Sequence, residues 1–185
     1  NRHGPELRAY DRYGMRINSV DYHPAYHDLM DLAISNKMHN FAWANEGKAG
    51  HVGQSALTYM FCQPEGGVMC PMAMTYSVVP SLRLSPSLAR EWMPRLMSTK
   101  YDKRDIPAEE KTSAMIGMFM TEKQGGSDVR SNSTVAVPDR DGYLLTGHKF
   151  FCSAPMCDAF LVLANTDSNG ISCFLVPRWL PNGTR

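Results

Sequence analysis

Apolar and polar positions divide this chain into two halves with different periods. Residues 1 to about 22 are polar and charged, with few apolar repeats, and are expected to form an extended arm or loop. From Pro24 to about residue 40, Tyr26, Leu29, Met30, Ala33 and Ile34 recur at helical spacing behind a proline suited to a first turn. Residues 47–63 read as a second helix with Ala49, Val52, Ala56, Leu57 and Met60 inward, broken by Pro64-Glu65-Gly66-Gly67. Residues 68–79 are apolar almost all round, which predicts a buried helix, its Met69, Met72 and Met74 filling core and Pro71 in its first turn or at a kink. Ser85-Pro86-Ser87 starts a further helix to about residue 98, carrying Leu88, Trp92, Arg95 and Leu96, and a short turn follows around 107–111.

From about Thr112 the period shortens. Strand-like runs occupy 113–120, 133–137, 143–146, 159–164 and 173–177. Turn signals separate them: Gly125-Gly126, Asp139-Arg140-Asp141-Gly142 and Asp167-Ser168-Asn169-Gly170. Asp141-Gly142 and Asn169-Gly170 between strands are hairpin signals. Helices first and strands second predict an α+β fold: a helical domain over 1–111, then an antiparallel β domain over 112–185, an incomplete barrel or sheet.

Composition narrows the function classes. Nineteen Lys and Arg against eighteen Asp and Glu give a net charge of +1, which makes no electrostatic case for nucleic acid or an acidic membrane. Lys100, Lys103 and Arg104 read as a solvated loop after a helix. No apolar run reaches the ~18 residues of a membrane span, and no cleavable signal is visible. The five cysteines, at 62, 70, 152, 157 and 173, are odd in number and lack a CxxC, so they read as reduced thiols of an intracellular protein. His148, Cys152 and Cys157 lack a fourth ligand at zinc spacing, and no metal site is expected. His23 and His27 lie four apart, but His23 precedes proline, so capping or packing suits them better than a metal. The chain begins at Asn1 and ends just after an apolar run, so it is expected to be a piece of a longer polypeptide.

Two segments carry candidate chemistry. Met120-Thr121-Glu122-Lys123-Gln124-Gly125-Gly126-Ser127-Asp128 is a loop rich in backbone donors and hydroxyls, entered from the apolar run Met115 to Met120. Gly147-His148-Lys149-Phe150-Phe151-Cys152-Ser153 sets two aromatics and a hydroxyl at the end of a strand-like run. A flavin is held by polar contacts to its pyrimidine edge and by cover on its rings. Backbone N–H groups of Met120 and Thr121 suit that edge, Gly125 and Gly126 permit close approach, and Ser127 suits a phosphate. Strand alternation would put Phe151 and Ser153 on one face, Phe150 and Cys152 on the other. The same residues also suit a plain hairpin loop whose hydroxyls cap backbone, beside a sheet core with one satisfied serine. There is no GxGxxG, P-loop or Ser–His–Asp arrangement.

The Met118-x-Met-Thr-Glu-Lys-Gln-Gly-Gly-Ser-Asp loop, followed by Tyr143-x-Leu-Thr-Gly-His-Lys-Phe-Phe-Cys-Ser and Asp158-Ala-Phe-Leu-Val-Leu-Ala164, resembles the acyl-CoA dehydrogenase family. Lys-Gln-Gly-Gly, Gly-His-Lys with paired Phe, Asp11-Arg12-Tyr13-Gly14 and Cys70-Pro71-x-x-Met74-Thr75 resemble its adaptive-response, AidB-like branch. The resemblance covers nearly the whole chain. It implies a subunit with an N-terminal helical domain, a middle β domain and a C-terminal helical bundle. FAD would lie between the last two, with a partner subunit of a homo-oligomer, a tetramer, closing the site. Carried over by position, Met118, Met120 and Thr121 line the flavin, Gly126 and Ser127 reach its phosphate side, and Phe151 stands at the stacking aromatic. Ser153 replaces the family's usual Thr, Cys152 its Ile and Lys123 its Pro.

The implied reaction is α,β-dehydrogenation of an acyl-CoA thioester, with hydride passing to FAD and electrons to an acceptor not specified by the sequence. The family's base, a Glu of the C-terminal bundle, has no counterpart in this chain, so no catalytic residue is assigned and the piece alone is expected to be inactive. The resemblance implies an alternative as well, a flavoprotein of the DNA-alkylation response that binds DNA through the C-terminal part. The compartment is expected to be cytoplasmic or mitochondrial, with no membrane attachment.

Overall fold

The computed structural model describes residues 3–140, 142–167, 170–180 and 183–184. The first strands differ from the expected extended arm. β1 (Glu6–Tyr10) and β2 (Arg16–Asp21) form an antiparallel hairpin. Its turn is closed by one side chain: Asp11 Oδ1 accepts the N–H groups of Tyr13 at 2.8 Å and Met15 at 2.9 Å. Arg178 ties the hairpin to the body by donating to the Asn18 carbonyl at 3.1 Å.

α1 (Pro24–Ser35) opens as the sequence predicts, with His23 Nδ1 accepting the Ala25 N–H at 3.2 Å; this is the capping role, and among the described residues no cluster could hold a metal. The helix stops short of residue 40. Lys37 takes a left-handed φ of 61°, the Met38 N–H returns to the Ala33 carbonyl at 3.0 Å and the Lys37 N–H to Ile34 at 3.0 Å. That is a Schellman stop built without its usual glycine, hence invisible to pattern. The short α2 (Phe41–Ala44) follows.

α3 (Gly50–Cys62) turns a different face inward from the expected one. Val52 and Met60 are exposed, Ala49 and Ala56 also, and only Leu57 of that set packs on the core. Gly50 and Gln54 are buried instead. A Cβ on Gly50 would lie 2.5 Å from the Ala42 carbonyl oxygen, so the small residues face α2 because only they allow this approach.

α4 (Met69–Arg83) and α5 (Pro86–Leu96) complete the helical half, with a 3-10 turn at Ala108–Glu110. α4 is not buried all round, although its apolar run predicts that: Cys70, Ala73 and Ser77 form an exposed edge.

The β half comprises β3 (Ile116–Phe119), β4 (Val135–Asp139), β5 (Gly142–Thr146), β6 (Ala159–Thr166) and β7 (Gly170–Pro177). The α+β class holds, and the strands lie in an open sheet. Its pairing corrects the wholly antiparallel expectation. β6 is the spine: β7 runs antiparallel along one side, while β3 and then β4 run parallel to it on the other. Antiparallel β4 and β5 join at Asp139 and Gly142, and β6 and β7 at Thr166 and Gly170, as the turn signals require. Asp141, Ser168 and Asn169 lie outside the described residues.

α4 locks the two halves together. Val68, just before it, with Met69 and Met72, joins one core cluster with α1; Val78, Val79 and Leu82 join a second with α5. Between them Thr75 Oγ1 accepts the Ile116 N–H at 3.2 Å on the edge of β3. β3 and β6 send alternate residues to each cluster: Phe119 and Phe160 to the first, Ile116 and Leu161 to the second.

The helical half also buries His39, whose Nε2 lies 3.0 Å from the Ser98 carbonyl. Burial lowers its pKa from 6.5 to about 4, against the pull of its backbone bonds. A histidine with a depressed folded pKa stabilises the fold above its unfolded pKa, and that contribution is lost as pH falls through the folded value. The melting temperature should therefore fall between pH 6.5 and about 4. His39→Gln should flatten this limb in thermal melts. His27 is lowered too, so the difference between the two proteins is the measurement; equal slopes would remove His39 from the account.

Candidate functional site

The two candidate segments meet at the end of β3. The Phe150 N–H donates to the Thr121 carbonyl at 2.9 Å, and Glu122 bridges Lys149 in antiparallel fashion. Glu122 also closes a tight turn with Gly125, whose N–H donates to the Glu122 carbonyl at 3.0 Å. Gly125 has φ 152°, a value side-chain-bearing residues rarely adopt.

Glu122 organises the site. Its side chain is 1% exposed and carries six donors. Oε1 accepts the Thr134 N–H at 2.9 Å, the Thr134 hydroxyl at 2.6 Å and Lys149 Nζ at 2.9 Å. Oε2 accepts the Ser133 N–H at 2.7 Å, its hydroxyl at 2.8 Å and Gln124 Nε2 at 2.8 Å. Burial alone would raise the carboxyl pKa; the bonds from Thr134, Ser133, Gln124 and Lys149 outweigh it and hold the group far below the usual carboxylate range. Asn132 adds a second tie by donating from Nδ2 to the Met120 carbonyl at 2.9 Å. Sequence reading passed over Glu122 and Lys149 as site residues. The available signal was a Glu at the end of an apolar strand, with Ser133-Thr134 and a lone Lys beside paired aromatics.

The expected flavin-facing residues differ in their surroundings. Met118 and Met120 are half-buried and pack on the second core cluster. Thr121, Ser127 and Ser153 have hydroxyls with no hydrogen-bond partner among the described residues, and Gly126 lies against the Thr121 side chain. Phe151 is 76% exposed, with Phe150 exposed beside it. Cys152 is half-buried, and burial raises its thiol pKa against the opposing pull of Lys149.

The strand alternation expected over 149–153 is corrected. The pairing ends at Lys149 and Phe150, and Phe151 takes a left-handed φ of 61°, as does Ala154 at 51°. Phe151 and Ser153 are therefore not related by a strand face; a turn joins them, with the Ser153 N–H donating to the Phe151 carbonyl at 3.2 Å. A bulky aromatic in left-handed conformation and open to solvent costs energy with no packing return.

Comparison with known proteins agrees with the motif reading. The family model described as the adaptive response protein AidB N-terminal domain matches residues 1–103, and that of the acyl-CoA dehydrogenase middle domain matches residues 117–185. The chain belongs to the acyl-CoA dehydrogenase family, in its AidB branch. AidB of Escherichia coli (strain K12) is 46% identical over 98% of this chain and 34% of its own length. Acyl-CoA dehydrogenase family member 11 of Caenorhabditis elegans is 34% identical over 90% of the chain and 27% of its length. The solved structure of Caenorhabditis elegans ACDH-11 in complex with C11-CoA superposes with a TM-score of 0.79 at 30% identity, covering 97% of this chain and 32% of that one. The chain thus spans about a third of the length of such relatives. The family is one of flavoprotein oxidoreductases, generally FAD-binding. Among the described residues no helix is long and apolar enough to cross a membrane.

Removing the Glu122 charge should cost about 3–5 kcal/mol, the range for breaking a buried ion pair from one side. Glu122→Gln keeps the size and one acceptor but sets an amide N–H₂ among donors. Because the folded pKa is depressed, the stabilisation is present above the ordinary carboxyl value of 4.5 and lost as pH falls below it. Denaturant unfolding at pH 7 and pH 4 should therefore show a larger difference between parent and Glu122→Gln at pH 7. An equal difference at both values would contradict a charged Glu122.

Proposed function

We propose that this chain forms the flavin-facing part of an FAD-dependent acyl-CoA dehydrogenase of the AidB type, acting on the α,β bond of an acyl-CoA thioester. The carrying observation is Phe151: an exposed, left-handed aromatic on a loop that the Glu122 clamp brings against the Thr121 segment, in a region whose Thr121, Ser127 and Ser153 hydroxyls are unengaged among the described residues. A ring face next to free hydroxyls fits a flat cofactor with a polar edge. FAD, when bound, would supply the two-electron acceptor for the hydride that leaves Cβ.

The chain's own residues bind and orient. Phe151 would cover the ring system, and Cys152 would fill the space beside it. The Thr121 hydroxyl and the backbone at Met120 and Thr121 would meet the pyrimidine edge, with Met118 as apolar support. Gly126 and Ser127 would approach the phosphates. The Ser153 hydroxyl would donate near the reactive ring nitrogen. The α-proton requires a base from outside this chain, since none of these residues is a carboxylate free to take it: Glu122 is fully committed to its six donors. The acyl-CoA substrate is inferred from the family and from the C11-CoA held by ACDH-11. A homo-oligomer, a tetramer, and a separation into helical and β domains at residues 111 and 112 belong to the same proposal.

The test uses the full-length protein. Phe151→Ala should lower flavin retained after gel filtration, losing on the order of 1 kcal/mol or more of binding. Ser153→Ala should keep the flavin but shift its potential negative by a few tens of millivolts, since a bond worth roughly 1–3 kcal/mol to the reduced form corresponds to about 30 mV per 1.4 kcal/mol. Ser153→Thr should be nearly silent. Unchanged flavin content in Phe151→Ala, together with an unchanged potential in Ser153→Ala, would sink the assignment.

A further inference from the structure

A cavity of about 350 Å³ opens between β2, α1, the segment 101–105 and the loop 154–158. That volume suits a small organic molecule. None of the residues proposed to face FAD lines it.

Its charges resolve to a single cation. Four carboxylates line the cavity, and each has a partner: Asp102 with Arg104 at 2.6 Å, Asp158 with Lys111 at 2.7 Å, Asp105 with Arg178 at 3.3 Å, and Asp21 with Arg8 at 2.5 Å. Lys103 also lines it and has no ion-pair partner among the described residues. One positive charge at the rim is left for something else.

The hydroxyls point the same way. Ser113 is 5% exposed, lines the cavity and makes no side-chain hydrogen bond among the described residues. Its hydroxyl is open to the cavity and available to donate to a ligand there. The Tyr22 and Tyr26 hydroxyls on the same walls make no hydrogen bond among the described residues either. The remaining surface is soft and apolar, with Met30, Met115 and Met156 among it. Thioethers contact aromatic rings favourably. The walls already stack rings: Tyr22 on Tyr26 at 4.1 Å and His27 on Tyr101 at 6.0 Å.

We propose that this cavity is a binding site for a small aromatic carboxylate, its ring among the methionines and tyrosines and its carboxylate shared by Lys103 and the hydroxyls. The unpaired Lys103 favours a carboxylate, and the sulfur-rich walls favour a ring over a flexible chain.

The experiment is a titration of full-length, FAD-loaded protein with phenylacetate, the neutral phenylacetamide and hexanoate, read by calorimetry and by saturation-transfer NMR. Phenylacetate should bind with a Kd of ~1 mM or tighter, a typical affinity for so small a ligand. The amide should bind about tenfold more weakly, and Lys103→Met should weaken phenylacetate by about the same factor, the loss of one charge-assisted contact. Lys103 is exposed, so the variant should fold, and its flavin content should match the parent. Saturation transfer should be strongest on the ring protons. No phenylacetate binding up to ~10 mM, equal affinity for acid and amide, an unaffected Lys103→Met, or hexanoate binding as tightly as phenylacetate would each overturn the proposal. Flavin retention is read separately, so failure here leaves the FAD assignment untouched and failure of that assignment leaves this one.

Discussion

A buried carboxylate with six donors is the constraint on which the rest of this site depends. Taking an ion out of water costs several kcal/mol, so Glu122 is tolerated only where donors surround it. Those donors come from three places: Gln124 in its own turn, Ser133 and Thr134 at the head of β4, and Lys149 beside the paired aromatics. The condition for burying Glu122 is therefore that these segments converge, and their convergence sets Thr121 against Phe150. Lys123 stands where the family commonly has proline, yet the turn is closed by Gly125 and by the Glu122 side chain. Rigidity here comes from hydrogen bonding to a charge, and a fixed φ at 123 is dispensable.

The other end of β3 obeys the same logic. Asp158, at the foot of β6, is nearly buried; its Oδ1 accepts from Lys111 Nζ at 2.7 Å and its Oδ2 from the Met115 N–H at 2.8 Å. Burial raises its carboxyl pKa, and the pull of Lys111 opposes the rise. β3 thus runs between two buried carboxylates, one fixing where it starts against β6 and one fixing where it ends against Lys149. Parallel pairing needs such anchors, because no tight hairpin sets its register. Thr75 then closes the remaining edge, so the helical half fixes the strand from the side while the carboxylates fix its ends.

Legibility in the sequence follows from the range of the interaction. Elements set by local pattern were readable: α1 behind Pro24, α5 behind Pro86, and the β4–β5 and β6–β7 hairpins from their turn residues. The parallel pairings of β3 and β4 with β6 are long-range and leave no local trace. The β1–β2 hairpin was hidden because its strands are short and bury no residue fully, with a turn closed by Asp11 in place of an Asn-Gly pair. The inward face of α3 was misread because hydrophobicity favoured Val52 and Met60, while close approach to α2 required Gly50. At the site, the two motif segments do meet, but the alternation rule mis-set their geometry, since nothing in Phe-Phe-Cys-Ser signals that Phe151 turns left-handed.

That turn explains how one short loop serves two surfaces. A strand continued through 149–153 would send alternate side chains to opposite faces of the sheet, committing Phe150 and Phe151 to different layers. Ending the pairing at Phe150 and reversing at Phe151 leaves both rings outside the core, 6.2 Å apart. A second left-handed residue, Ala154, then redirects the chain so that Met156 and Cys157 return inward to the wall of the cavity. Each such residue is an unfavourable backbone state, and two within four positions persist only because both ends of the loop are fixed. Lys149 is held by Glu122 at one end and Asp158 by Lys111 at the other. The buried ion pairs bound the loop, the strain lies between them, and the exposed ring of Phe151 is what that strain presents.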